Sequence, residues 1–117
     1  MNVTKPDRPP GPADLNRLAM MFLVLLRHSG PEWDLARPME QQSKWPEHAR
    51  YMDELVDVGV IVLGGPLDDV RVVLAVEADS EQMVRDLFAR DPWSQTHLVI
   101  DTIEAWRLRL DGRKGRE

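Results

Sequence analysis

Along the chain the apolar residues gather into blocks whose spacing switches between the period of a strand and that of a helix. The first block, "MMFLVLLR" at 20–27, puts Phe22, Val24 and Leu26 on one parity and Met21, Leu23 and Leu25 on the other. A strand that is apolar on both parities needs cover on both faces. "HSGPEWDLARP" follows as a loop full of turn formers. Residues 39–58 then predict a helical region, either kinked at Pro46 or opened afresh there, and stopped by Gly59. The stripe Trp45, Ala49, Met52, Val56 reads as its core face, with His48 and Leu55 beside it.

"VIVLGGPL" and "VRVVLAVEA" predict a second and a third strand joined by a tight turn around "LDD". In the third strand Val70, Val72, Leu74 and Val76 share a face. A second helix is predicted from a capping box, Asp79 as N-cap with Gln82 three residues on. It buries Met83, Val84, Leu87 and Phe88, and Pro92 ends it. The last block, "THLVIDTIEAWRLRL", predicts one long strand with Leu98, Ile100, Trp106, Leu108 and Leu110 on one parity.

The order is β-α-β-β-α-β, which predicts an α+β ferredoxin-like sandwich, an antiparallel sheet with both helices on one face. The helices cover one side only. The doubly apolar first strand therefore predicts a two-fold homodimer with its sheets packed face to face. Three segments are expected: a flexible Pro-rich leader at 1–19, the α+β domain at 20–111, and a short basic tail at 112–117.

Composition narrows the function. A net charge of −5 argues against a nucleic-acid partner, since a phosphate backbone wants a basic face. No apolar run is long enough to span a bilayer. The chain has no cysteine, which removes disulfides, thiolate nucleophiles and Cys-based zinc sites, and suits a cytoplasmic protein.

The chemistry concentrates at one end of the predicted sandwich. The up-and-down order brings together His28 at the end of the first strand, Trp33 in the loop, and Trp45 and His48 at the start of the first helix. Gly64, Gly65 and Pro66 join them from the second strand, as do Asp91 and Trp93 from the turn before the last strand, and His97 at its start. All three histidines and three of the four tryptophans thus share one end. An imidazole beside a carboxylate can act as general base or acid. The other reading of His48 is a core histidine satisfied by a backbone carbonyl. Likewise, Asp91 either orients His48 or is an ordinary turn residue before proline. No histidine pair has helical ligand spacing, so no metal is expected. The absence of a phosphate-cradling glycine loop or a dinucleotide fingerprint leaves no cofactor expected.

The combination "PEHARYMDELVDVGVIVLGGPLDD", then "VLAVEADS" and the "DPW" turn, resembles the YciI-like (YCII-related) family over roughly residues 22–107. The resemblance implies a dimeric α+β barrel. It also implies an acid–base pair, which maps to His48 and Asp91. Trp93 stands where phenylalanine is commoner in the family, and His97 where a glycine usually follows. Relatives of this fold include a dehydrochlorinase, muconolactone isomerases and cofactor-free monooxygenases. The expected function is accordingly proton-transfer chemistry, isomerisation or elimination, on a planar small molecule. Trp45, Trp93, His28, His97 and the Gly64–Gly65–Pro66 turn would line its site. The alternatives are a non-catalytic dimer that binds a metabolite or a partner, and a cofactor-free monooxygenase.

Overall fold

The computed structural model describes residues 20–113. The chain runs β1 (Met20–His28), a 3-10 turn (Met39–Gln41), α1 (Trp45–Asp57), β2 (Ile61–Pro66), β3 (Arg71–Ala78), α2 (Glu81–Phe88) and β4 (Leu98–Ala105). The strands form one antiparallel sheet in the order β2-β3-β1-β4. Strands β1 and β3, the most apolar of the four, are the inner ones. Phe22, Val24 and Leu26 pair with Val76, Leu74 and Val72. These six form one buried face with Leu55 of α1 and Val84 and Phe88 of α2. This is the ferredoxin-like α+β arrangement. Among the described residues no helix is long and apolar enough to cross a membrane. The expected leader and the last four residues of the tail lie outside the described residues.

Local structure departs from the sequence expectations in α1, at the cap of α2 and in β4, and Val70, expected on the shared face of the third strand, lies before β3 and is exposed. The buried line of α1 runs through His48 and Leu55, not through Val56, which is 50% exposed. One residue turns a helix by about 100°, enough to carry a side chain from core to solvent. Pro46 opens this helix in its first turn rather than kinking a longer one. The cap of α2 is Ser80, whose Oγ accepts from the Met83 N–H at 3.1 Å; Asp79 and Gln82 form no capping box. Gln82 instead donates to Asp86 one turn on.

The third departure is in β4. Its pairing steps from Leu25↔Thr102 to Leu26↔Ile100, so Asp101 is an extra, bulged residue. The bulge inverts the side-chain parity, which is why Leu98 and Ile103, five residues apart, are both buried. The strand stops at Ala105, where the Trp106 N–H closes onto the Met21 carbonyl at 2.8 Å. Trp106, Leu108 and Leu110, expected in the strand, instead line a cavity of about 190 Å³ with Met21, Leu63 and Ala75. The chain thus supplies part of the cover for its own second sheet face.

Gly64 is glycine because strands β2 and β3 approach too closely for a side chain. A Cβ there would lie 2.3 Å from Leu74 Cδ2 and 2.8 Å from the Val73 carbonyl oxygen. At Gly65 a Cβ would meet nothing within 4 Å. Gly64→Ala is therefore expected to cost about 1–3 kcal/mol in urea unfolding, and Gly65→Ala no more than about 0.5 kcal/mol. Equal costs at the two positions would show that strand propensity, not the contact with Leu74, governs the pair.

Candidate active site

The loop between β1 and α1 carries Trp33 and leads to His48, and a single buried side chain shapes it. Gln42 donates through Nε2 to the carbonyls of Asp34 (2.7 Å) and Arg37 (2.9 Å), while its Oε1 accepts from the Asp34 N–H at 2.9 Å. Three hydrogen bonds from one amide do for this loop what a ladder does for a strand. Lys44 then turns the backbone at φ 63° and Pro46 starts α1, which brings His48 inward after one turn.

His48 meets Asp91. Its Nδ1 lies 2.8 Å from Oδ1 and 3.0 Å from Oδ2, with the two side chains 9% and 3% exposed. A carboxylate only accepts, so Nδ1 carries the hydrogen, and in the neutral ring Nε2 holds the lone pair. Nε2 has no hydrogen-bond partner among the described residues. Asp91 is itself held by the turn that Pro92 imposes. Its Oδ1 also accepts from the Trp93 N–H at 3.0 Å, and its carbonyl accepts from Ser94 N–H. The pair is a base with its tautomer set and an acceptor with its position set.

Trp93 is the hub around which the other rings are placed. It stacks on His48 at 4.0 Å and 6° and on His97 at 5.0 Å and 14°. Trp33 and His28 meet it edge-on, and Trp45 packs against it at 5.6 Å. Its Nε1–H donates to the Ser43 carbonyl. Trp93 and His97 have no exposed surface, so neither wall is open to a ligand, contrary to the sequence expectation. Both nitrogens of His97 are engaged. The Thr96 hydroxyl donates to the Pro92 carbonyl and so accepts from Nδ1, which leaves Nε2 to accept from the Ser43 hydroxyl at 2.8 Å. His97 buttresses Trp93. Gly64 answers to strand packing, as shown above, rather than to a ligand.

His28 differs from the other two histidines. Its ring stacks on Trp33 at 4.2 Å, and its Nδ1 donates to the Asp69 carbonyl at 3.1 Å. It forms part of the wall of a groove of about 580 Å³, together with Trp33, the loop from Leu35 to Glu40, Pro66 and the β2–β3 turn. A smaller cavity of about 170 Å³ touches Asp91 from the side of α2 and β4. The walls of these two cavities include His28, Pro66 and Asp91 but not His48. Among the described residues no group of three His, Cys, Asp or Glu side chains comes together to hold a metal.

Sequence reasoning missed Gln42, Ser43 and Thr96. Gln42 lies three residues from both Met39 and Trp45, on their helical stripe, and that spacing was the available signal. Ser43 and Thr96 had none, since their partner is a ring more than fifty residues away or one residue along a non-helical turn. Tyr51 fills a smaller structural role: its hydroxyl donates to the Leu87 carbonyl at 2.6 Å, tying α1 to α2, and burial raises its pKa.

Burial pushes the pKa of both His28 and His97 below the ordinary 6.5, against partly opposing help from the Asp69 carbonyl and from Glu32 respectively. A histidine with a depressed folded pKa is neutral in the folded state where the unfolded chain already binds a proton. Stability from these rings is therefore complete above 6.5 and is lost as the pH falls through their folded values. Urea unfolding between about pH 5 and pH 7.5 is expected to show stability rising with pH. His28→Gln should flatten part of that slope; an unchanged slope would assign the proton uptake to other groups.

A family model described as the YCII-related domain matches residues 20–107. No curated protein and no solved structure matches the chain. The match runs from the first residue of β1 to two residues past Ala105, and so takes in every strand and helix of the described residues and the His48–Asp91 pair. The chain belongs to the YCII-related family.

Proposed function

We propose that the chain is a small enzyme acting on a planar small molecule by proton transfer, with His48 as the base and Asp91 as the group that orients it. The observation that carries this reading is the Nδ1 contact to both Asp91 oxygens, with Nε2 left without a hydrogen-bond partner among the described residues. In such a step Nε2 takes the proton of an acidic carbon, and Asp91 stabilises the imidazolium that forms. Returning the proton to a different carbon gives isomerisation; departure of a leaving group gives elimination. Neither needs a cofactor. Trp45, half-buried with its ring 5.7 Å from His48, is the aromatic surface a substrate meets, and Trp93 holds His48 flat from behind. A cofactor-free monooxygenase would begin from the same proton abstraction.

The second reading is a non-catalytic binding module. It is favoured by the 7% exposure of His48, which leaves little of the ring for a substrate to reach. Thermal-shift screening of a metabolite library finds the ligand, and turnover of that ligand separates the two. A ligand at ~100 times its Kd stabilises by about 2.7 kcal/mol. His48→Ala is expected to abolish that shift and any turnover, and to cost stability as well because the buried Asp91 carboxylate loses a donor. A large loss of stability with the ligand shift intact would assign His48 to the core.

The assembly we propose is a homodimer through the second sheet face. Met21, Leu23 and Leu25 lie there, beside Val73 and Ala75 of β3. The chain's own tail covers only part of it, leaving Leu63 61% exposed. The cysteine-free composition fits a reducing compartment, and we place the protein in the cytoplasm. Light scattering should give twice the 13.4 kDa chain mass. A monomer at micromolar concentration would mean that the tail alone suffices as cover.

A further inference from the structure

We infer that the groove between the β1–α1 loop and the β2–β3 turn is a binding site for a small amphipathic cation, an aromatic or aliphatic body bearing an ammonium or amidinium group. The inference rests on reading this end of the fold as a small-molecule site, but not on catalysis by His48.

The volume of about 580 Å³ is that of a small-molecule site. Its body is apolar: Trp33, Leu35, Pro38, Met39, Pro66 and Val70. Both sides are held in place, the loop by the Gln42 amide and the turn by Asp68, whose Oδ1 accepts from the Val70 and Arg71 N–H groups. A wall already shaped does not have to be ordered by its ligand.

The polar groups in this wall divide into matched and unmatched. Arg37 lies 3.4 Å from Asp34, and Asp68 is spent on Arg71 at 2.9 Å. That leaves Glu40, Asp69 and His28. The Glu40 and Asp69 carboxylates have no partner among the described residues. His28 is 8% exposed, and its Nδ1–H is committed to the Asp69 carbonyl, so its Nε2 offers only a lone pair. All three unmatched groups accept hydrogen bonds and two are anionic. A neutral donor would satisfy His28 alone. An anion would meet two carboxylates. Only a cation with N–H groups answers the whole set.

The test is isothermal titration calorimetry on the full chain with three probes that share one ring system: tryptamine, its neutral counterpart tryptophol, and indole-3-acetate. The expected result is a Kd for tryptamine at least about fivefold below that for tryptophol, a preference that fades in high salt, and no measurable heat with indole-3-acetate. The Glu40→Gln/Asp69→Asn double variant changes only exposed side chains and should bring tryptamine to the tryptophol level. Equal binding of tryptamine and tryptophol would overturn the cation assignment while leaving a small-molecule site. Tryptamine binding unchanged in the double variant would place the amine elsewhere and overturn it too. No heat from any probe at millimolar concentration would remove the groove as a ligand site. The His48 reading would then be judged separately, by whether His48→Ala abolishes ligand shifts.

Discussion

A carboxylate taken out of water must be given donors, and the way Asp91 obtains its two sets the geometry of the whole chemical end of this protein. One donor is its own turn, the N–H of Trp93, made available because Pro92 bends the chain there. The other is the imidazole of a helix that begins 46 residues earlier. The first bond aims the indole of Trp93 at the core and the second brings His48 onto that indole. His97 closes the opposite face of the ring, and Ser43 grips both His97 and Trp93. Loop, helix and last strand are joined through one aromatic plate. Removing the Asp91 carboxylate would release all three.

How much of this was legible beforehand depends on the length scale of the signal. The order of the elements was legible because Phe22, Val24, Leu26 and Val72, Leu74, Val76 repeat a strong alternation over many residues. The convergence of His28, His48, Asp91, Trp93 and His97 followed from that order, since an up-and-down topology assigns each loop to an end. What one residue decides was not legible. Ser80 and Asp79 are both good caps, and only the extended backbone at Ser80 selects between them. Leu55 and Val56 are equally apolar. Asp101 gives no sign that it is a bulge, yet it reverses the facing of half a strand.

The site itself was legible as a pair and illegible as a surface. Hydrogen-bond demand made His48 and Asp91 natural partners, because each is a polar group in apolar company. The direction each ring faces is a property of rotamers and of hydroxyls such as Ser43 and Thr96, which carry no periodicity. As a result Trp93 and His97, read as walls open to a ligand, are interior supports. The pocket walls are instead built by the Gln42-pinned loop and the Asp68-pinned turn. Stacked imidazoles and indoles are suited to both tasks: they are rigid, they bury much area per residue, and their edges still carry polar atoms.

The position of Trp93 also makes the protein its own optical gauge. A neutral imidazole lying flat on an indole leaves its excited state largely alone, whereas an imidazolium accepts an electron from it and quenches the emission. Trp93 has such a ring on each face and no contact with solvent to compete with them. Its indole is fully buried, whereas Trp106 on the far side of the sheet is 42% exposed. A proton gained by either stacked ring would therefore dim the light from a single buried residue.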